Sequence, residues 1–291
     1  MDERLTLAQR LAQLPMPTMG GKQLWGDVFV YGGHRIQRNV ITAHFRLLAP
    51  ADIRLAFGTW EQCYEAFQRH RDAGRITLES EHLVLLLHGF FRSKDSFGPM
   101  TRALKRAGYA AHGVNYPSTR QGLDDHARQV ELLLDQAEGY KTVSFVTHSM
   151  GGIVARVLLS REGAWRERIE VNRLVMIGTP NRGAEIVTHL SQLPAFEEVG
   201  GPALAALEPN RATELPNPNA KFGVIAGARG DGRGYNPLLP GDDDMTVSVA
   251  STRLPGAEDM LIVNAVHTFI MVNPGVIKAT LRYLDTGAFR K

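Results

Sequence analysis

Ser149 lies in FVTHSMGG, residues 145–152, where strand-forming residues give way to small ones and then to a helix-forming stretch. A serine hydroxyl is a weak nucleophile unless it is exposed, held in place and given a base. A tight strand-to-helix turn meets the first two conditions. It lifts the side chain above the sheet and turns the first N–H groups of the helix toward a developing oxyanion. The Met150 N–H is the first such donor, and Gly151 lets the strand and helix backbones approach. Thr147 stands where the G-x-S-x-G form of this turn has its first glycine. Taken singly, a serine at such a boundary is also an ordinary helix N-cap, so its neighbours must decide.

HGFF, residues 88–91, follows a buried strand one strand–helix–strand step earlier. Acyl transfer needs two N–H donors at the oxyanion, and the second comes from the loop after an earlier strand. Gly89 lets that loop turn toward Ser149, and Phe90 supplies the N–H. A nucleophile on such a turn is followed in chain order by an acid and then a histidine. Of the ten histidines only His189 and His267 come after Ser149. His189 falls in an insertion, whereas His267, in NAVHTFIM, sits between the last strand and the last helix and can reach back as the base. The acid must come from Asp231, Asp242, Asp243, Asp244 or Asp259. It has to be ordered and partly buried to fix the histidine tautomer. Asp244, beside the apolar MTVSV stretch, is best placed, with Asp242 and Asp243 expected to face water. The three adjacent carboxylates lack the alternating spacing of a calcium loop, so no metal is expected. Phe90, Phe91 and Met271 could line an apolar substrate pocket; plain core packing is the alternative for each.

The elements that would position these residues read as an alternation. HLVLLL (82–87), YAAHGVNY (109–116), TVSFVT (142–147), RLVMI (173–177), FGVIA (222–226) and MLIV (260–263) are strand-like. Helix-like stretches lie between them at 97–107, 123–138 and 150–160, and a last one runs from Pro274 to Leu284. This rhythm predicts an α/β class with a mostly parallel sheet covered by helices on both faces. Residues 181–221 interrupt it with helical and Pro-rich sequence, an insertion sized like a lid. Residues 1–80 differ: an amphipathic helix through Leu7, Leu11 and Leu14, two β-rich runs around Gly32-Gly33, a strand at IRLAF and a helix over Trp60–Arg71. They are expected to form an N-terminal extension packed beside a main domain of residues 81–291.

Composition narrows the partners. With 44% hydrophobic and 22% charged residues, the chain is neither disordered nor fibrous. A net charge of +3 without a long basic block gives no footprint for nucleic acid. The single cysteine, Cys63, forms no internal disulfide and fits a reducing compartment. The longest purely aliphatic run, Leu83–Leu87, is too short to span a bilayer, and MDERLTLAQRLAQL lacks the form of a signal peptide. A cytoplasmic location is expected, with peripheral membrane contact as the alternative. Nothing in the sequence fixes an oligomeric state.

Taken together, HGFFRS, VNYPSTR, FVTHSMGGIVAR, MIGTPNRGAE, DDDMTVSV and AVHTFIM resemble bacterial α/β-hydrolase lipases and esterases, of the kind similar to GPI-inositol deacylases. The resemblance spans roughly residues 80–285. It implies the α/β-hydrolase fold, Ser149 as nucleophile, His267 as base and Asp244 as acid. It also implies a small-molecule or lipid ester as substrate and no cofactor. Where such proteins commonly carry D-G-T-V, this chain has Asp244-Met245-Thr246-Val247. The same triad can serve amide hydrolysis or acyl transfer, and the scaffold can serve a catalytically inactive binding protein. Residues 1–80 carry no resemblance.

Overall fold

The computed structural model describes residues 16–17, 23–184, 187, 203, 207 and 209–291. The helix expected over Leu7–Leu14 and most of the expected insertion, His189 included, lie outside the described residues. The first sheet is antiparallel, formed by β1 (Met16–Pro17), β2 (Trp25–Tyr31), β3 (His34–Asn39), β4 (Phe45–Ala49) and β5 (Ile53–Gly58) in the order β1-β5-β4-β3-β2. Gly32 and Gly33 take φ 53 and 78, the positive values that a two-residue hairpin turn requires. The two β-rich runs expected before residue 49 are three strands. The extra turn has no glycine and escaped the sequence pattern: Asn39 Oδ1 accepts the N–H groups of Ile41 and Thr42 at 2.9 and 3.0 Å. Helix α1 (Trp60–Asp72) starts on a Thr59–Gln62 capping box and buries Phe67 against Phe29 in an edge-on pair 4.8 Å apart. Cys63 is buried in the same cluster, and burial pushes its thiol up to about 12.

The second sheet begins at His82. Its strands are β6 (His82–Leu87), β7 (Ala110–Val114), β8 (Thr142–His148), β9 (Glu170–Ile177), β10 (Phe222–Ala228) and β11 (Asp259–Asn264). They run in the order β11-β10-β9-β8-β6-β7 with every neighbouring pair parallel. Parallel strands need crossovers, and the helices that make them cover both faces. Helices α2 (Gly98–Arg106), α3 (Leu123–Asp135), α4 (Met150–Leu159), α5 (Pro209–Glu214), α6 (Val249–Thr252) and α7 (Pro274–Thr286) complete the described set. Side chains alternate faces along a strand. Leu83, Leu85 and Leu87 therefore join Val130, Leu133 and Val154 of α3 and α4 on one side. Val84 and Leu86 join Met100, Leu104, Val276 and Tyr283 of α2 and α7 on the other. With both faces covered, β6 reads as an unbroken aliphatic run.

The two sheets meet at Asp27, where β2 bulges. Its N–H donates to Asn115 O at 2.8 Å, and its carboxylate accepts the Asn115 N–H at 2.7 Å just past β7. The same carboxylate, fully buried, accepts from Arg35 Nη1 at 2.9 Å and Gln37 Nε2 at 2.7 Å. Arg35 Nη1 also reaches Gly113 O, so a single charge pair stitches β2 and β3 to β7. Removing one partner of a buried pair leaves the other charge unpaired, which costs about 3–5 kcal/mol. Asp27→Ala should therefore lower unfolding free energy by that amount, read as a lower midpoint in urea melts.

Candidate active site

Strand β8 ends at His148, and α4 starts at Met150. Ser149 between them holds φ 55 and ψ −127, a left-handed conformation for a residue with a Cβ. Its N–H is tied to Ile177 O of β9 at 2.9 Å. The glycines that follow are required by contact. A Cβ on Gly151 would lie 2.1 Å from Leu87 O, and one on Gly152 would lie 2.1 Å from Thr179 Oγ1. Thr147 is accommodated because its buried hydroxyl donates to Val175 O at 3.1 Å.

The three residues singled out from the sequence meet above the carboxyl ends of the strands. His267 Nε2 lies 2.9 Å from Ser149 Oγ, and His267 Nδ1 lies 2.7 Å from Asp244 Oδ2. With the proton on Nδ1, the ring donates to Asp244 and leaves Nε2 to accept from the serine. The other Asp244 oxygen accepts the N–H groups of Thr246 and Val247 at 3.1 and 2.8 Å. A backbone bond from His267 N–H to Asp244 O at 2.7 Å joins the two loops. Asp244 is fully buried and His267 nearly so. Gly178, at φ 57, lies beside the Nδ1–Oδ2 bond, where a Cβ would sit 3.3 Å from Nδ1.

Asp243 does not face water as expected. It is completely buried, and its carboxylate accepts the N–H groups of Tyr235, Asn236 and Met245. Asp242 is half-buried and caps Arg229 N–H and Gly230 N–H at 2.8 and 2.9 Å. Each neighbouring carboxylate is thus engaged with loop backbone. Met245 stands at φ 86 with its side chain exposed, which is the conformation glycine adopts freely.

The loop at 89–92 runs against the serine: a Cβ on Gly89 would lie 2.9 Å from Ser149 Cβ. Gly89 O accepts from His88 Nδ1–H at 2.8 Å and from Arg92 N–H at 3.2 Å. A peptide unit is planar, with its C=O and N–H pointing oppositely, so anchoring this carbonyl sets the aim of the Phe90 N–H. Among the described residues neither the Phe90 nor the Met150 N–H is matched to an acceptor. Half-buried Phe90 and exposed Phe91 line an open cleft of about 540 Å³ with Gln23, Arg92, Ser93, Asp95 and Ser96. Met271, expected at the pocket, is 1% exposed and packed in the core of the α2/α7 face, so its side chain fills the interior.

Two residues of the surroundings were not singled out from sequence. His148 is fully buried, and burial holds its ring well below the ordinary histidine value. It is therefore neutral, donates from Nε2 to His267 O at 3.0 Å, and packs 4.7 Å from the His267 ring. Ser118, also buried, accepts the Phe91 N–H at 3.1 Å. Neither residue type signals such a role, because both contacts arise only on folding. Among the described residues no group of three His, Cys, Asp or Glu could hold a metal ion, and no helix is long and apolar enough to cross a membrane.

The family described as Domain of unknown function (DUF7379) matches residues 53–194, just under half of the chain. No curated protein sequence matches. Among solved structures, the mature form of Bacillus licheniformis lipase BlEst2 superposes with a TM-score of 0.57 at 20% identity, over 69% of this chain and 91% of that one. Its propeptide form gives a TM-score of 0.53 at 20% identity over 65% of this chain and 46% of that one, so this chain spans less than half of that form. The metagenomic carboxyl esterase MGS0156 gives 0.55 at 18% identity, over 73% and 79%. Together with the six-stranded parallel sheet and its helices, these likenesses show the α/β-hydrolase fold.

Two outcomes are expected from this geometry. A left-handed residue with a Cβ costs about 1–2 kcal/mol, part of which glycine forfeits through unfolded-state entropy. Met245→Gly should thus raise stability by up to about 1 kcal/mol in thermal denaturation, leaving the Asp244 contacts in place. The second concerns pH. Burial lowers His88 and His126 from 6.5 to about 4, and His112 to about 3. The unfolded chain then binds more protons than the folded one between these values and 6.5. Their contribution to stability is complete above pH 6.5 and is lost as pH falls toward about 4, and for His112 toward about 3, which urea midpoints measured across that range should follow.

Proposed function

We propose that the protein is a serine hydrolase that cleaves carboxylic esters through an acyl-enzyme, and that residues 81–291 form its catalytic domain. The observation that carries this reading is the unbroken hydrogen-bond chain Asp244–His267–Ser149 on a strained strand-to-helix turn. The likeness in fold to a lipase and a carboxyl esterase supports it. So does the resemblance of its motifs to bacterial lipases and esterases similar to GPI-inositol deacylases. The substrate class is a small-molecule or lipid ester.

In the first half-reaction His267 Nε2 takes the proton of Ser149, and the serine oxygen attacks the ester carbonyl. The oxyanion that forms accepts from the Phe90 and Met150 N–H groups, each worth about 3–4 kcal/mol in such sites. Asp244 remains ionised, holds the tautomer and stabilises the imidazolium. The imidazolium then gives its proton to the departing alkoxide oxygen, leaving the acyl group on Ser149. Water repeats the sequence, releasing the acid.

Turnover of p-nitrophenyl esters from C2 to C16 tests the reading. Ser149→Ala should lower kcat by several orders of magnitude with the fold intact. Asp244→Asn should lower it by about 10⁴-fold, since the wrong histidine tautomer is then held. Asp243→Asn should cost stability and leave kcat within a few-fold, because its carboxylate serves loop N–H groups. Near-wild-type turnover by Ser149→Ala would overturn the assignment. A maximum at long chains would mean a lipase; activity confined to short chains would mean a small-ester esterase.

A further inference from the structure

An oxyanion donor works only if it stays within hydrogen-bond reach of the position the oxygen will occupy, and a misplacement of about 1 Å can cost 10²-fold in rate. The loop carrying the Phe90 N–H is poorly suited to hold itself there. Phe91 is left-handed at φ 58 despite its Cβ, and its ring is 62% exposed, so packing does not fix it. His88 and Arg92 anchor the loop at Gly89 O. Beyond Phe90 the anchors come from elsewhere.

We propose that Gln23 and Ser118 are positioning residues: Gln23, at the start of the antiparallel sheet, brackets the oxyanion loop through Ser118 and through Arg92 O. The inference rests on the ester-hydrolase reading. The Phe91 N–H donates to Ser118 Oγ, and Ser118 Oγ–H donates in turn to Gln23 Oε1 at 3.3 Å. Gln23 Nε2 closes the bracket by donating to Arg92 O at 3.2 Å. The Gln23 amide is itself fixed, because Oε1 also accepts from Thr119 N–H and Thr119 Oγ1 at 3.3 and 3.2 Å. One side chain from before β2 thus ties the loop after β6 to the loop after β7. The far end of the segment is held from the same side. Lys94 N–H donates to Asn115 Oδ1 at 2.9 Å, and Lys94 Nζ pairs with Asp52 at 2.9 Å. Asn115 is the residue that Asp27 grips. The antiparallel sheet therefore completes the catalytic geometry as well as covering an edge of the molecule.

Gln23 is half-buried, so its loss lets water reach Arg92 O and should leave the fold standing. The experiment uses the full chain with Gln23→Ala, Gln23→Glu and Ser118→Ala. It follows p-nitrophenyl butyrate turnover, thermal melting, and the rate at which a p-nitrophenyl phosphonate labels Ser149 by mass spectrometry. The phosphonate places an anionic oxygen where the oxyanion forms, and it reports the loop without an ester. Gln23→Ala and Ser118→Ala should each lose about tenfold in both kcat and labelling rate, with KM within about twofold. Gln23→Glu keeps the acceptor for Ser118 and Thr119 but cannot donate to Arg92 O, and should fall between Gln23→Ala and wild type. If Gln23→Ala turns over and labels like wild type, the inference is wrong. It is equally wrong if kcat drops only in step with a lowered melting temperature while labelling of the folded fraction is unchanged. A wild-type protein that neither cleaves the ester nor is labelled at Ser149 removes the ester reading, and the inference with it. Ser149-dependent turnover that ignores Gln23 removes the inference alone.

Discussion

Ser149 holds a backbone conformation that a residue with a Cβ adopts only when its surroundings leave no alternative. Those surroundings are the ends of β6 and β9. The Ile177 carbonyl takes the Ser149 N–H, and the Leu87 carbonyl sits where any side chain at position 151 would have to go. Helix α4 can therefore start only by turning sharply out of β8, which leaves the hydroxyl above the sheet. The approach that excludes a side chain at Gly151 also brings the loop after β6 against the serine. The parallel sheet matters to the site for this reason. It aligns the carboxyl ends of β6, β8, β9, β10 and β11, so that loops far apart in sequence converge on one point.

Electrostatics around that point are simple because burial keeps the other imidazoles neutral. His88 and His148 directly precede Gly89 and Ser149, yet each acts as a hydrogen-bond donor without charge. A second imidazolium beside His267 would oppose the charge that the proposed proton transfer creates on its ring. Neutral His148 instead holds the His267 carbonyl, fixing the loop that carries His267. Asp244 is then the buried counter-charge in direct contact with that ring.

The alternation of strand and helix from residue 82 onward was legible because both faces of the sheet are covered, which gives the strands apolar cores, unbroken in β6. The serine turn was legible because small residues after a strand have few other uses. Chain order narrowed the partners of Ser149 to two histidines and five aspartates; the place of His267 between the last strand and the last helix, and of Asp244 beside the apolar MTVSV stretch, then singled them out. Other features left no mark on the pattern. The turn at Asn39 uses a side-chain oxygen where glycine would have been conspicuous. Met271 falls on the inward side of its turn, and nothing in NAVHTFIM distinguishes a pocket wall from core. Gln23 and Ser118 are ordinary polar residues about a hundred positions apart whose partnership exists only in the folded chain.

The run Asp242-Asp243-Asp244 shows why such residues resist reading one at a time. Three adjacent carboxylates look interchangeable, yet each has its own set of N–H donors. Asp242 closes the turn at Arg229–Gly230, Asp243 gathers Tyr235, Asn236 and Met245, and Asp244 takes Thr246 and Val247. The long connection after β10 would otherwise be free to pivot, and a carboxylate at its tip would have no reason to face a histidine. By engaging their own loop, Asp242 and Asp243 stabilise it, while the bonds of Asp244 to Thr246 and Val247 set the direction in which it points. Its two oxygens then divide the work, one anchored to backbone and the other directed at His267. A buried carboxylate is tolerable only when its lone pairs are matched. The same bonds that orient Asp244 therefore make its burial possible, and they leave it one acceptor for the ring.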